Sequence, residues 1–490
     1  RGEGLKVLTR TIQESRKAAF GKTMFGRVRR IHLVGIGGTG MSGIAEILLN
    51  LGFEVTGSDL RRTDVTERLE GLGAEIVEGH ESDLVCEAHV VVVSSAIRKE
   101  NPEVRKAAEA GIAVIPRAEL LAELMRVKRG IAIGGAHGKT TTTWLTALVL
   151  AEADLDPTIV VGGRLKQLGT NAKLGGGEFL VAEADESDGT FLMLAPTIAV
   201  ATNIDREHLD FYPDLDAIRE AFLRFLNRVP FFGVAIVNGD DPELRSLLPS
   251  IARRTMTYGM EENAEVRAEN LRPSGRSIRF TVRARGEKLG EIALHVPGRH
   301  NVLNALAAVS VGIELEIPFA KIASGLESFR GIHRRLEVRG ERAGRLVIDD
   351  YGHHPTEVRA TLRALREAYP GRRLVVLFQP HRYTRTSALL AEFATAFEEA
   401  QLLFLLDIYP AGEVPVPGVD SGLLARAIAE TGKKSAEWIR DRREAAARLA
   451  EASASGDLIL TLGAGDVIRH GDEILEELSK REGPEEGKRE

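Results

Sequence analysis

The run Ile131-Ala132-Ile133-Gly134-Gly135-Ala136-His137-Gly138-Lys139-Thr140-Thr141 constrains the fold more than any other stretch of this chain. Its apolar start reads as a buried strand and its glycines as a tight turn. The segment from Trp144 to Ala153 reads as a helix. In a strand–turn–helix of this kind, backbone N–H groups and the positive helix end cradle phosphate. Lys139 supplies a mobile charge, and the Thr140 hydroxyl suits a nucleotide-bound magnesium ion. Three residues, not the common four, separate Gly134 from Gly138. An ordinary glycine-rich turn is therefore the alternative to a nucleoside-triphosphate site.

A chain of 490 residues has room for about three domains. Its net charge of -6, with no basic block, argues against a nucleic-acid partner. No apolar run reaches the roughly 18 residues that span a membrane. The single cysteine, Cys86, precludes an intrachain disulfide framework and suits a reducing compartment, so a cytoplasmic location is expected. Cys86 itself is expected to be a small buried hydrophobe. Residues 1–23 are polar and basic and read as a flexible extension before Met24; 481–490 read as a charged, solvated tail.

Three stretches repeat an α/β rhythm. Strands are expected at Ile31–Gly35, Phe53–Gly57, Val90–Ser94 and Ile112–Pro116, then at Gly130–Gly134, Phe179–Glu183, Ile198–Asn203 and Gly233–Asn238. A β-rich patch, Ser277 to Val296, precedes a helix from about Asn301 to Glu314. Strands at Arg345–Asp349, Arg373–Gln379, Leu402–Asp407 and Asp457–Leu462 complete the pattern. Such alternation argues for parallel sheets covered on both faces.

Polar motifs follow several of these strands, where α/β proteins build their sites. Gly35-Ile36-Gly37-Gly38-Thr39-Gly40 fits G-x-G-x-x-G, and Asp59 ends the next strand, where an acid can bind a ribose hydroxyl. Alone this suggests an NAD-type site; beside a second phosphate loop it suits any nucleotide diphosphate, or a structural turn. Glu183-Ala184-Asp185-Glu186-Ser187-Asp188 offers oxygen ligands for Mg²⁺, or a solvated acidic loop. His208, within Thr202–Asp210, shares that rim and is a candidate metal ligand. His300, Asn301 and Asn304 open a helix, and their amides suit base recognition or a cap. Arg382 and Arg385 follow a strand and can grip a carboxylate or phosphate bidentately.

In order along the chain stand VGIGGTGMSGIAE, GSD, HGKTTT, EADESD, TNIDREHLD, GRHNVLNA, GIHRRLE, DDYGHHPTE, FQPHRYTR, DIYPAGE and LGAGD. From about Met24 to Asp466 the chain resembles the Mur ligases, within them the alanine-adding branch. The resemblance implies a three-domain α/β architecture. A Rossmann-like UDP-sugar domain (24–128) would precede a central P-loop ATPase (129–333) and a Rossmann-like amino-acid domain (334–480). It implies an enzyme that uses ATP and Mg²⁺ to join L-alanine to the lactyl carboxylate of UDP-N-acetylmuramate through an acyl phosphate, in peptidoglycan precursor synthesis. No nucleic-acid or membrane partner is implied, and the enzyme would be a monomer or homodimer.

Carried over by motif, Gly37, Gly38, Thr39, Gly40, Met41, Ser42 and Asp59 resemble contacts to the UDP-sugar. Gly135, His137, Gly138, Lys139, Thr140 and Thr141 resemble the phosphate loop, and Thr140, Glu183 and His208 the magnesium ligands. His300, Asn301 and Asn304 resemble the adenine site; Arg335 and Asp350 resemble further groups on ATP. Tyr351, His353, Arg382 and Arg385 resemble the alanine and acyl-phosphate region, with Lys139, His353, Arg382 and Arg385 catalytic and His353 the candidate base. Ala136 stands where the family usually has Thr, which removes a hydroxyl but no backbone donor. Relatives that add later residues use a carbamylated lysine after the TNI…H motif; here no lysine occurs from Leu209 to Phe232, and Phe222 lies near the expected place. A recycling ligase that attaches a preformed peptide is the nearest rival. A non-catalytic UDP-sugar sensor is the rival of another class.

Overall fold

Continuous or nearly continuous apolar runs such as VAIV, LVVLF and LILTL are buried at every position, which requires strands covered on both faces. The computed structural model describes residues 24–94, 96–162, 172–209 and 211–481. The expected extension 1–23, the tail from 482 and Asp210 lie outside the described residues.

The first strands are β1 (Arg30–Val34), β2 (Glu54–Asp59), β3 (Glu75–Glu78), β4 (Val90–Val93) and β5 (Ala113–Pro116). They form a parallel sheet in the order β3-β2-β1-β4-β5. The order reverses direction at β1, so the loop after β1 opens at a switch point. The next ten are β6 (Arg129–Gly134), β7 (Thr158–Val160), β8 (Ala172–Lys173), β9 (Phe179–Glu183), β10 (Ile198–Ala201), β11 (Val234–Asn238), β12 (Thr255–Gly259), β13 (Val266–Ser274), β14 (Ser277–Ala284) and β15 (Glu287–Leu294). They form one sheet, ordered β15-β14-β13-β12-β11-β10-β6-β9-β7-β8. β6 lies parallel between β10 and β9, and the phosphate loop leaves its end. The last six are β16 (Glu337–Arg342), β17 (Arg345–Asp350), β18 (Leu374–Phe378), β19 (Leu402–Leu405), β20 (Glu437–Trp438) and β21 (Leu458–Leu462). Their order is β16-β17-β21-β18-β19-β20, parallel except for β16 on β17.

The chain divides into two compact units. The first gathers the described residues up to Glu269 with Thr281–Ile292 and Leu303–Ser328; the second gathers Asn270–Phe280, Ala293–Val302 and the described residues from Phe329 onward. Phe222 is a core residue of the first unit, 1% exposed, with its ring 5.5 Å from Phe191.

Every strand expected from the sequence is present within a few residues. The seven strands that went unnamed have different reasons. β3 is polar and exposed at the sheet edge, β8 and β20 are two residues long, and β16 is an edge strand of charged residues. β7 is three residues long; β12 and β13 do begin with alternating half-buried and buried residues, a signal the sequence reading passed over. One expectation is corrected. Cys86 is exposed, because the short 3₁₀ turn Asp83–Glu87 turns Val85 inward and Cys86 outward. No helix among the described residues is long and apolar enough to cross a membrane.

Candidate active site

The turn after β6 is shaped by two glycines. Gly135 and Gly138 have φ of +141° and +82°, and a Cβ at Gly135 would lie 1.9 Å from the Thr202 hydroxyl. The motif after β10 braces the loop. The Asn203 side chain accepts from His137 N–H at 2.8 Å and donates to the His137 carbonyl at 2.9 Å, and the Ala136 N–H reaches the Asn203 carbonyl at 3.1 Å. The His137 ring meets Asp205 at 2.9 Å. The helix Lys139–Glu152 begins directly after the loop, and its first-turn N–H groups lack intrahelical acceptors. A helix N-terminus behind a braced glycine turn is an anion cradle.

Four acceptors surround the Lys139 ammonium: the Gly135 carbonyl at 2.6 Å, the Ala136 carbonyl at 3.3 Å, and both Glu186 oxygens at 2.8 Å. Burial pulls its pKa down, but the charges of Glu186 and Asp185 win and hold it above the ordinary lysine value. The Thr140 hydroxyl donates to Glu183 at 2.8 Å. Of the expected magnesium ligands, Thr140 and Glu183 are thus neighbours, and an oxygen donor pair suits Mg²⁺. His208 sits in a left-handed backbone conformation, φ +55°, with Nε2 3.3 Å from Glu186. Burial opposes its protonation, but the Glu186 hydrogen bond and the Glu207 charge leave its pKa raised. Ligand atoms of Glu186, Glu207 and His208 lie within 4.8 Å of one another. Glu186 and Glu207 were not singled out in the sequence, although both lie inside its quoted motifs.

On the first sheet, the Asp59 carboxylate turns back to accept the Gly37 N–H at 2.8 Å. The Ser58 carbonyl accepts from Gly35 at 2.8 Å and Ile36 at 3.0 Å. Asp59 therefore closes the glycine turn before it meets any ligand. Gly40 lets the Arg117 guanidinium lie against the turn, since a Cβ there would come 1.9 Å from it and Arg117 would have to move. Met41 and Ser42 are buried, and Gly38 is exposed at the mouth of the turn.

The helix Arg299–Glu314 follows Gly298, whose φ is +98°. Asn301 is inside this helix and donates to the Pro297 carbonyl at 2.7 Å; Asn304 accepts from the buried Thr142 hydroxyl at 3.2 Å. Burial, with Arg335 nearby, pushes the His300 imidazole down to about 4. It is neutral at pH 7.

In the second unit, Asp350 ends β17 and is buried. It accepts the Leu336 and Gly352 N–H groups, each at 2.9 Å, and the Thr361 hydroxyl at 3.1 Å; burial raises its pKa against the pull of Arg335. Arg335 lies over the Tyr351 ring, 5.2 Å from its centroid, and 3.3 Å from Glu357. His353 Nδ1 is 3.2 Å from the Tyr351 carbonyl and 3.4 Å from Glu357. A carbonyl only accepts, so Nδ1 of His353 carries a proton. Arg385 donates to His381 Nδ1 at 3.0 Å, which fixes the opposite tautomer there. Burial and then the His353, Arg385 and Arg382 charges push His381 down to about 3. The two imidazoles lie 5.6 Å apart, and His381 stacks on Tyr409. Arg382 holds a φ of +69° at the start of the helix Tyr383–Ala388, anchored by its N–H on the Tyr409 carbonyl at 2.8 Å. His381 was missed in the sequence, although it lies in the same FQPHRYTR motif.

Three family descriptions match the chain: "Mur ligase family, catalytic domain" over 30–129, "Mur ligase middle domain" over 133–312, and "Mur ligase, glutamate ligase domain" over 334–465. The chain is 54% identical over 455 residues to a UDP-N-acetylmuramate–L-alanine ligase of Geotalea uraniireducens, covering 93% of this chain and 99% of that protein. It is 55% identical to the protein of the same name from Desulfosudis oleivorans, covering 92% and 99%. The crystal structure of the UDP-N-acetylmuramate-alanine ligase MurC of Thermotoga maritima superposes with a TM-score of 0.77 at 29% identity, covering 92% of this chain and all of that one. The chain belongs to the Mur ligase family.

Proposed function

We propose that this Mur ligase joins L-alanine to the lactyl carboxylate of UDP-N-acetylmuramate at the expense of ATP, a step of peptidoglycan precursor synthesis. The observation that carries the reading is the identity above 50% to ligases of that name over almost the whole chain. We assign residues 24–128 to the UDP-sugar, 129–333 to ATP and 334–480 to the amino acid, with a cytoplasmic location and a monomer or homodimer as the working form.

The chemistry follows from the weakness of a carboxylate as an electrophile. A lactyl oxygen attacks the γ-phosphorus, ADP leaves, and the carbonyl now bears phosphate as a leaving group. The alanine amine attacks that carbonyl, phosphate departs, and an amide remains. Lys139 and the first-turn N–H groups of its helix hold the phosphates and spread their charge. Thr140 and Glu183, with His208, form the set that would hold Mg²⁺, which when bound neutralises phosphate charge. His353 Nε2 takes the proton that the alanine ammonium must lose, an assignment its Nδ1 contacts favour. Arg382 and Arg385 are the two cations for the alanine carboxylate and the tetrahedral oxyanion. The turn after β1 receives the UDP diphosphate, with Asp59 keeping the turn shut.

Phosphate release from ATP plus UDP-N-acetylmuramate tests the reading. L-Alanine is expected to trigger release and amide formation. Release with a murein tripeptide and none with L-alanine would instead identify a recycling ligase.

A further inference from the structure

Lys139 belongs to the phosphate loop, yet its strongest partner is an acid that this function has not used. Glu186 grips the ammonium with both oxygens at 2.8 Å. Its side chain is 3% exposed, whereas that of neighbouring Asp185 is 45% exposed. The turn that carries it is fixed: the Glu186 carbonyl accepts the buried Tyr212 hydroxyl at 2.7 Å and the Gly189 N–H at 3.1 Å. The carboxylate is further tethered by His208 at 3.3 Å. Its position is thus set by the fold and not by a mobile surface side chain.

We propose that Glu186 is a positioning residue that competes with the nucleotide's phosphates for Lys139, and so sets nucleotide affinity and ADP release. The inference rests on the reading of the Gly134–Thr141 loop as the ATP site. A phosphate that meets the Lys139 ammonium comes close to a nearly buried carboxylate. Like charges at short range in a poorly screened site repel. The lysine must exchange one anion for the other, which weakens ATP and ADP together. For a ligase that ends each cycle holding ADP, weaker binding speeds release. Glu183 has a different role, because its oxygen takes the Thr140 hydroxyl and leaves the ammonium to Glu186.

The test is ADP binding to the full chain by calorimetry, with Mg²⁺ and separately with a chelator. Glu186→Gln keeps size and removes charge. It is expected to tighten ADP by about tenfold in both conditions, to lower the Michaelis constant for ATP, and to lower kcat through slower ADP release. Glu186→Asp keeps the charge and is expected to bind ADP much as the parent does. Damage to the fold weakens binding, so a gain in affinity separates competition from a merely structural role. Unchanged or weaker ADP binding by Glu186→Gln overturns the proposal, and weakening confined to Mg²⁺ would make Glu186 a metal contact instead. Failure of the parent protein to bind ADP at all would overturn the ATP assignment itself.

Discussion

Gly138→Ala tests whether the phosphate loop is held by backbone geometry. Gly138 has φ +82°, where a residue with a Cβ costs roughly 1–2 kcal/mol. The added Cβ would lie 2.4 Å from Asn304 Oδ1, so the amide must swing away. That breaks its 3.2 Å bond from Thr142, whose hydroxyl is 0% exposed. A buried hydroxyl left without its partner costs about 1–3 kcal/mol. The entropy that alanine removes from the unfolded chain returns about 0.4–1 kcal/mol. The net expectation is a loss of roughly 1–5 kcal/mol, the strain and unpaired-hydroxyl terms summed and offset by that entropy. Trp144 reports on it directly, being buried in the same helix. Urea unfolding followed by tryptophan fluorescence, in a Trp438→Phe background, should show the midpoint fall. The Michaelis constant for ATP should rise alongside it. Gly371→Ala is the control, because a Cβ there meets nothing within 4 Å and its φ is ordinary. A loss under about 1 kcal/mol, or an equal loss at Gly371, would refute the reasoning.

Three further outcomes are expected. Lys139→Met should abolish ligation at saturating ATP and also lower stability, by up to about 3–5 kcal/mol less whatever His208 compensates, because Glu186 loses its cation; steady-state rates and urea midpoints check both, and normal turnover would remove Lys139 from the chemistry. Arg382→Ala should raise the Michaelis constant for alanine far more than that for ATP, measured with each substrate varied in turn; the reverse pattern moves Arg382 to the phosphates. Burial lifts Asp241 from its usual 3.8 to about 6, so its proton favours the fold: that contribution is complete below pH 4 and lost as pH rises through 6. Asp241→Asn keeps the N-cap and should be neutral near pH 3.5 but stabilising at pH 8, by at most ~3 kcal/mol, and an effect independent of pH in unfolding titrations would contradict it.

How far the site was legible in the chain depends on which physical step each residue required. Strand ends were legible because parallel strands are apolar throughout and their polar continuations stand out; β9 ends at Glu183 and β17 at Asp350, as the change in polarity suggested. Family resemblance then tied these motifs to one reaction. It did not resolve partners within a motif. EADESD offers four acids in six residues, and nothing local selects among them. The selection is made by register and by the turn: Glu183 is still in β9, paired opposite Ile133, so it stands beside the start of the phosphate loop and takes Thr140. Glu186 lies past the strand, and its carbonyl is held by Tyr212 from 26 residues away. That contact turns its carboxylate to Lys139. Likewise His381 went unnoticed although it stands four residues before Arg385; the bond between them spans a left-handed backbone at Arg382, which no propensity for arginine predicts. Cys86 failed for a simpler reason, since a lone cysteine's usual burial says nothing about which side of a one-turn helix faces the core. Motif identity is a property of the local chain, whereas the charge pairing that tunes the site arises where separate strand ends are brought together.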